Sequence, residues 1–139
     1  MKENNERLKE WILKADHDIG TAILIQRNIP EYSDTLAFHC QQAVEKYLKC
    51  LLEFNSISFY RSHDLRYLLD LINNIIPITN ELYENAIKLN AYGVEIRYPD
   101  NRIELTNEEI IEAIAIAKEF REFIRVNIDF EIEKNFNDI

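Results

Sequence analysis

Glycine and proline are scarce in this chain: its 139 residues include 2 of the first and 3 of the second. A sandwich or barrel needs many tight turns, and this composition does not supply them. Cysteine is scarce too. Cys40 and Cys50 lie in a segment of strong helical periodicity, and ten helical residues advance about 15 Å, beyond the reach of a disulfide. Both are expected as reduced thiols. No stretch approaches the ~20 apolar residues of a membrane span. The opening Met-Lys-Glu-Asn-Asn-Glu has no apolar signal region, so the expected location is the cytoplasm. Positive charge is in deficit, with 16 Lys and Arg against 25 Asp and Glu for a formal charge of −9. The balance is −1, −3 and −5 over residues 1–50, 51–100 and 101–139, so acidity gathers towards the C-terminus. Binding that works by neutralising many phosphates needs the opposite sign, which excludes extended DNA binding and leaves room for a small local basic site. There is no zinc spacing of Cys and His, no HExxH, no glycine-rich phosphate loop and no nucleophile elbow. No metal and no cofactor is expected.

What is present is helical periodicity. The length suits one core, and 47% hydrophobic with 29% charged residues suits a folded soluble domain. From Glu6 to Arg27, Leu8, Trp11, Ile12, Ala15, Ile19, Ala22 and Ile23 recur at steps of three and four, which is one face of an amphipathic helix. Pro30 breaks it, and Ser33 or Asp34 is placed to cap a second helix. The second carries the cleanest stripe, from Leu36 through Cys40, Val44 and Tyr47 to Leu51 and Leu52. A third helix is expected at about Asp64–Asn74, with Ser62 as a plausible cap, and a fourth opens at Thr79 or Asn80. Gly93 weakens the fourth, and Arg97-Tyr98-Pro99-Asp100 must leave helical geometry. Thr106 and Glu109 form a capping box for a fifth helix ending near Asn127. On it Ile111, Ile116 and Phe123 look surplus to one inner face, which suggests a dimer surface. The expected fold is all-α, an antiparallel up-and-down bundle of about five helices over residues 1–127. Residues 128–139 form an acidic C-terminal tail, whose alternating Ile128, Phe130 and Ile132 suit a short strand, a frayed helix or a segment ordered by a partner.

Some polar groups exceed what a bundle needs. His39, Gln42, Lys46 and Lys49 fall within roughly 80° of arc on the second helix, opposite its core stripe, with Glu45 at the edge. Such a line offers an imidazole, an amide and two cations to an anionic ligand; it also suits a plain solvated face. Phe38 beside it suits an interface. His63 stands at the start of the third helix, where a simple first-turn position would also explain it. Arg97, with its fixed fork of donors next to Pro99, suits phosphate recognition. His17, between Asp16 and Asp18, carries less information.

Four segments together resemble the HEPN family (higher eukaryotes and prokaryotes nucleotide-binding domain) over about residues 8–127. Phe38-His39-Cys40-Gln41-Gln42-Ala43-Val44-Glu45-Lys46-Tyr47-Leu48-Lys49 is similar to the family's FHxQQAxEKxLK helix. Ser62-His63-Asp64-Leu65, Arg97-Tyr98-Pro99-Asp100 and the N-terminal Trp11–Asp18 segment follow the same family pattern. The resemblance implies a helical bundle that usually dimerises and binds nucleotides or RNA phosphate. It also implies a minimal nucleotidyltransferase as partner in a toxin–antitoxin arrangement. The ribonuclease branch of the family uses an Arg followed four to six residues later by His. Here no His follows His63, which removes the general acid–base group. The expectation is therefore a nucleotide-binding partner subunit, without catalytic residues. The alternatives are a metal-independent ribonuclease toxin in which His39 or His63 takes over, and a non-catalytic oligomerisation module. The expected ligand-binding residues are His39, Gln42, Lys46, Lys49, His63 and Arg97.

Overall fold

A computed structural model describes residues 2–95 and 104–133. Five helices and no strand occur among them: α1 (Lys2–Asn28), α2 (Ser33–Phe54), α3 (Leu65–Asn73), α4 (Asn80–Glu95) and α5 (Asn107–Arg125). Side-chain pairings show that neighbours run antiparallel. On α1 and α2, Arg7 meets Glu53 while Asp18 meets His39. On α3 and α4, Asp70 meets Tyr83 while the Leu65 N–H meets Asn90. Lys88 with Glu112 and Asn85 with Glu119 set the same relation for α4 and α5. No described helix is long and apolar enough to cross a membrane.

The most apolar stripe makes the central helix. α2 touches all four others, and Leu36, Cys40, Val44, Tyr47, Leu48, Leu51 and Leu52 on it are fully buried. Apolar area removed from water at ~25 cal/mol per Å² is the main force holding such a helix in place. Cys40 and Cys50 are both free and buried.

Helix ends follow local chemistry, with two corrections. The capping box at Thr106 and Glu109 is complete. Thr79 Oγ1 accepts from the Leu82 N–H, closing the first turn of α4, and α4 continues through Gly93 to Glu95. Neither Ser33 nor Asp34 caps α2; the N-cap is Tyr32, without a side-chain bond. Ser33 is drawn away because its hydroxyl accepts the Leu105 N–H at 2.9 Å, which ties the start of α2 to the approach of α5. At α3 the N-cap is Asp64, whose carboxylate accepts from Arg66 N, and Ser62 instead accepts from Asp64 N. The carboxylate is the stronger acceptor at the positive helix end.

The fifth helix has less spare apolar surface than its composition suggests. Ile116 is 4% exposed and Phe123 packs against the core, so only Ile111, at 59%, stands out among the three. Ile128, Phe130 and Ile132 lean on the same core, with irregular backbone. Lys9 Nζ lies 5.9 Å from the centre of the Phe130 ring. Arg97, Tyr98, Pro99 and Asp100, and the tail beyond residue 133, lie outside the described residues.

Candidate functional site

Helix α1 lays two aspartates against α2, and they sort the polar groups into separate clusters. Asp18 Oδ1 is 2.8 Å from His39 Nδ1, and Asp18 Oδ2 accepts from Lys46 Nζ. One turn along, Glu45 is 4% exposed. Its Oε1 lies 2.9 Å from His63 Nδ1 and 3.3 Å from Gln42 Nε2, and its Oε2 lies 2.9 Å from Lys49 Nζ. Gln41, also buried, donates to the His63 carbonyl at 2.9 Å and accepts from Gln42 at 2.8 Å. That carbonyl bond fixes the loop before α3 onto α2, so His63 reaches Glu45 from a separate element.

A carboxylate can only accept, so in both pairs the imidazole proton sits on Nδ1 and Nε2 remains available. The His39 side chain is 26% exposed and that of His63 51%, so both imidazoles are open to a ligand. Lys49 is different: its side chain is 9% exposed and it is held by Glu45. It belongs to the wall of the site more than to its open face. The line expected on α2 therefore comes together for His39, Gln42, Lys46 and Lys49, joined by His63 across the loop. Its cations already have carboxylate partners. Arg97 lies outside the described residues; Asn90 of α4 bonds both the Leu65 N–H and Asp64 at the start of α3.

Spacing alone misses a further cluster. Asp16 takes a two-pronged contact from Arg121, Nε to Oδ1 at 2.9 Å and Nη2 to Oδ2 at 3.2 Å, and also accepts from the Tyr47 hydroxyl. The third prong of Arg121 donates to the Glu133 carbonyl at 2.9 Å, holding the end of the described chain onto the bundle. The sequence does carry a signal for it: Ile114, Ala117, Arg121 and Ile124 step by three, four and three, which places an arginine on a buried stripe. Burial works against the Arg121 charge, but Asp16 outweighs it and holds the pKa above its ordinary value. Burial raises the Tyr47 phenol as well, helped by the Asp16 charge. The Cys40 thiol is pushed up to about 12, by burial first and then by Asp18.

No group of three His, Cys, Asp or Glu side chains is placed to hold a metal among the described residues. What remains is a surface of carboxylate-held imidazoles, an amide and a lysine, made by the helix whose sequence is most distinctive. The family model named "HEPN domain" matches residues 8–127. The chain belongs to the HEPN domain family. Two solved structures share the fold of this HEPN domain. TT1696 from Thermus thermophilus superposes with a TM-score of 0.77 at 24% identity, covering 88% of this chain and 98% of that one. ST0689, described as an archaeal HEPN homologue, gives 0.71 at 23% identity with the same coverage. No protein of curated function matches the chain.

Proposed function

We propose that this HEPN domain binds a nucleotide or RNA phosphate on the α2 face, as a homodimeric partner subunit of a minimal nucleotidyltransferase in a cytoplasmic toxin–antitoxin system. The observation that carries the reading is the pair of partly exposed imidazoles, each held through Nδ1 by a carboxylate, with Lys46 and Gln42 between them. In a chain of charge −9, donors gathered in this way favour an anion at one place. The held ring needs no reordering to present Nε2, and protonation of that nitrogen converts it to a donor for a phosphate oxygen. Arg97 completes the set. A charge-assisted contact from it in a partly dry groove is worth ~1.5–3 kcal/mol. The acidic charge of residues 101–139 would steer a basic protein partner.

Calorimetric titration of ATP and AMP into wild type and into a Lys46→Ala, Arg97→Ala double variant tests the ligand. Binding by wild type and a loss of about tenfold or more in the variant is the expected result. Equal binding by both moves the site elsewhere, and no binding by wild type ends the reading. Light scattering should give twice the chain mass at micromolar concentration; a monomer mass removes the dimer.

The same geometry favours a second reading. A carboxylate–imidazole pair with a free Nε2 is also the arrangement of a general base, so His39 or His63 can stand in for the His absent after Arg97. Cleavage of single-stranded RNA in the presence of EDTA, lost in His39→Ala or His63→Ala, would establish the ribonuclease. Cleavage no greater than a mock preparation is the outcome the first reading expects.

A further inference from the structure

Between α2 and α3 the chain holds a large apolar ring out into water. Tyr60 is 74% exposed, the highest value among the exposed large hydrophobic side chains described. Yet it is fixed. Its ring stacks on Tyr67 with centroids 4.8 Å apart and planes 4° from parallel. Its backbone N–H donates to the Tyr67 hydroxyl at 3.0 Å. Tyr67 in turn stands on α3 and packs against the core, so the stack has a firm base. One face of Tyr60 is taken and the other is open. Beside it lies a shallow cavity of about 410 Å³ lined by Ser58, Phe59, Tyr60, Tyr67 and Leu71.

The charge at this place runs against the rest of the chain. From Ser58 to Tyr67 there are two arginines against one aspartate, and His63 besides. Arg61 is exposed and pairs with no carboxylate among the described residues. A rigid aromatic face next to unneutralised positive charge is how proteins hold bases without reading their edges: the ring stacks on the base while a cation meets the phosphate. An aromatic side chain from a protein partner would use the face but leave the arginine idle. Tyr60 and His63 are three positions apart in the chain, which limits their Cα atoms to about 11 Å. A single nucleotide can span that interval. His63 is already docked on Glu45, so the platform opens directly onto the polar line of α2.

We infer that the Tyr60–Tyr67 stack is a nucleobase platform: a base lies on the open face of Tyr60 while its phosphate meets Arg61 and His63. This rests on the reading of the α2 face as a phosphate site and adds where the base goes. The base comes from a free nucleotide or from single-stranded RNA, and the stack recognises what the two share.

Calorimetry with four probes separates the parts: AMP, ATP, a twelve-nucleotide oligo(A) RNA and inorganic tripolyphosphate, which has no base. Tyr60→Leu removes the ring at an exposed position, and Tyr60→Phe keeps it. The expected result is that Tyr60→Leu weakens AMP, ATP or oligo(A) by about five- to a hundred-fold, the range for one base–aromatic stack. Tyr60→Phe should bind as wild type does, and tripolyphosphate should be indifferent to both. Loss with AMP and ATP assigns the platform to free nucleotides, and loss with oligo(A) alone assigns it to RNA. Nucleotide binding unchanged in Tyr60→Leu overturns the platform and leaves the phosphate site standing. Binding sensitive to Tyr60→Leu but untouched by Lys46→Ala upholds the platform and overturns the α2 phosphate site. No binding of any base-containing probe overturns both.

Discussion

Replacing Arg121 by alanine should destabilise the bundle substantially. Its side chain is 6% exposed and that of its partner Asp16 is 23% exposed. The truncation removes both contacts to Asp16 and the one to the Glu133 carbonyl. Asp16 is left with the Tyr47 hydroxyl alone. Taking one partner from a fully buried ion pair costs about 3–5 kcal/mol, and the partial exposure of Asp16 lets water reach the abandoned carboxylate, so about 2–4 kcal/mol is expected here. With a urea slope of ~1–3 kcal/mol per M for a small domain, the midpoint falls by roughly 1–2 M. Circular dichroism and Trp11 fluorescence should report the same shift if unfolding is two-state.

Two further variants separate charge from bulk. Arg121→Met keeps most of the volume, so it should lose nearly as much as alanine if the ion pair dominates. A double-mutant cycle with Asp16→Ala should return a coupling of about 2 kcal/mol, since each single variant strands the other group. A midpoint within ~0.3 M of wild type for Arg121→Ala, or a coupling below ~0.5 kcal/mol, would refute the argument. Loss of the Glu133 contact should also free the end of the chain, and limited proteolysis should then cut after α5 sooner in the variant.

Glu45→Ala strands Lys49 in a site where its side chain is 9% exposed, and a loss of about 3 kcal/mol in chemical unfolding is expected. Thr106→Ala removes the capping box of α5 and should cost ~1 kcal/mol, read as a fall of a few degrees in melting temperature. Cys40 and Cys50, both pushed up to about 12 chiefly by burial, should resist thiol reagents at mildly alkaline pH until the protein is unfolded; rapid labelling of the native state would contradict their placement. The same shifts set the direction of alkaline instability. The native state keeps the two thiol protons and the Tyr47 proton where the unfolded chain has lost them, so stability is full below about pH 8.5 and declines as pH rises towards 12. A urea midpoint that stays level from about pH 8 to 10.5 would contradict it.

Periodicity made the bundle legible because a helix writes its buried face into the chain at steps of three and four. The stripe on α2 and the capping box of α5 needed no knowledge of neighbours. Helix ends were harder where several acceptors compete. Ser62 and Asp64 both suit the start of α3, and Ser33 was taken by the distant Leu105 N–H. The candidate site was half legible for the same reason. Spacing put His39, Gln42, Lys46 and Lys49 on one line; the first three are partly exposed there, and Lys49 is buried against Glu45. Which carboxylate meets them depends on the rotation and register of α1 against α2, and neither is local. Asp16 and Asp18 stand two apart on α1, about 200° around the helix, yet one faces Tyr47 and Arg121 while the other faces His39 and Lys46.

Arg121 is the clearest case of a buried charge signalled by spacing. A charge on a buried stripe costs several kcal/mol unless an opposite charge meets it, so an arginine in register with Ile114, Ala117 and Ile124 demands a carboxylate on a neighbouring helix. Lys49 and Glu45, four apart on α2, satisfy that demand within one helix, whereas Arg121 must look across to α1. The exposed and partly exposed groups are the reverse case. Tyr60, His39 and His63 sit where solvent would accept a disordered side chain at little cost, yet a stack or a carboxylate holds each in one orientation. Fixing an exposed side chain costs conformational entropy without returning core burial. The buried charges here are matched within the bundle that apolar burial holds together, while these three side chains are ordered and accessible, as the proposed ligand site requires.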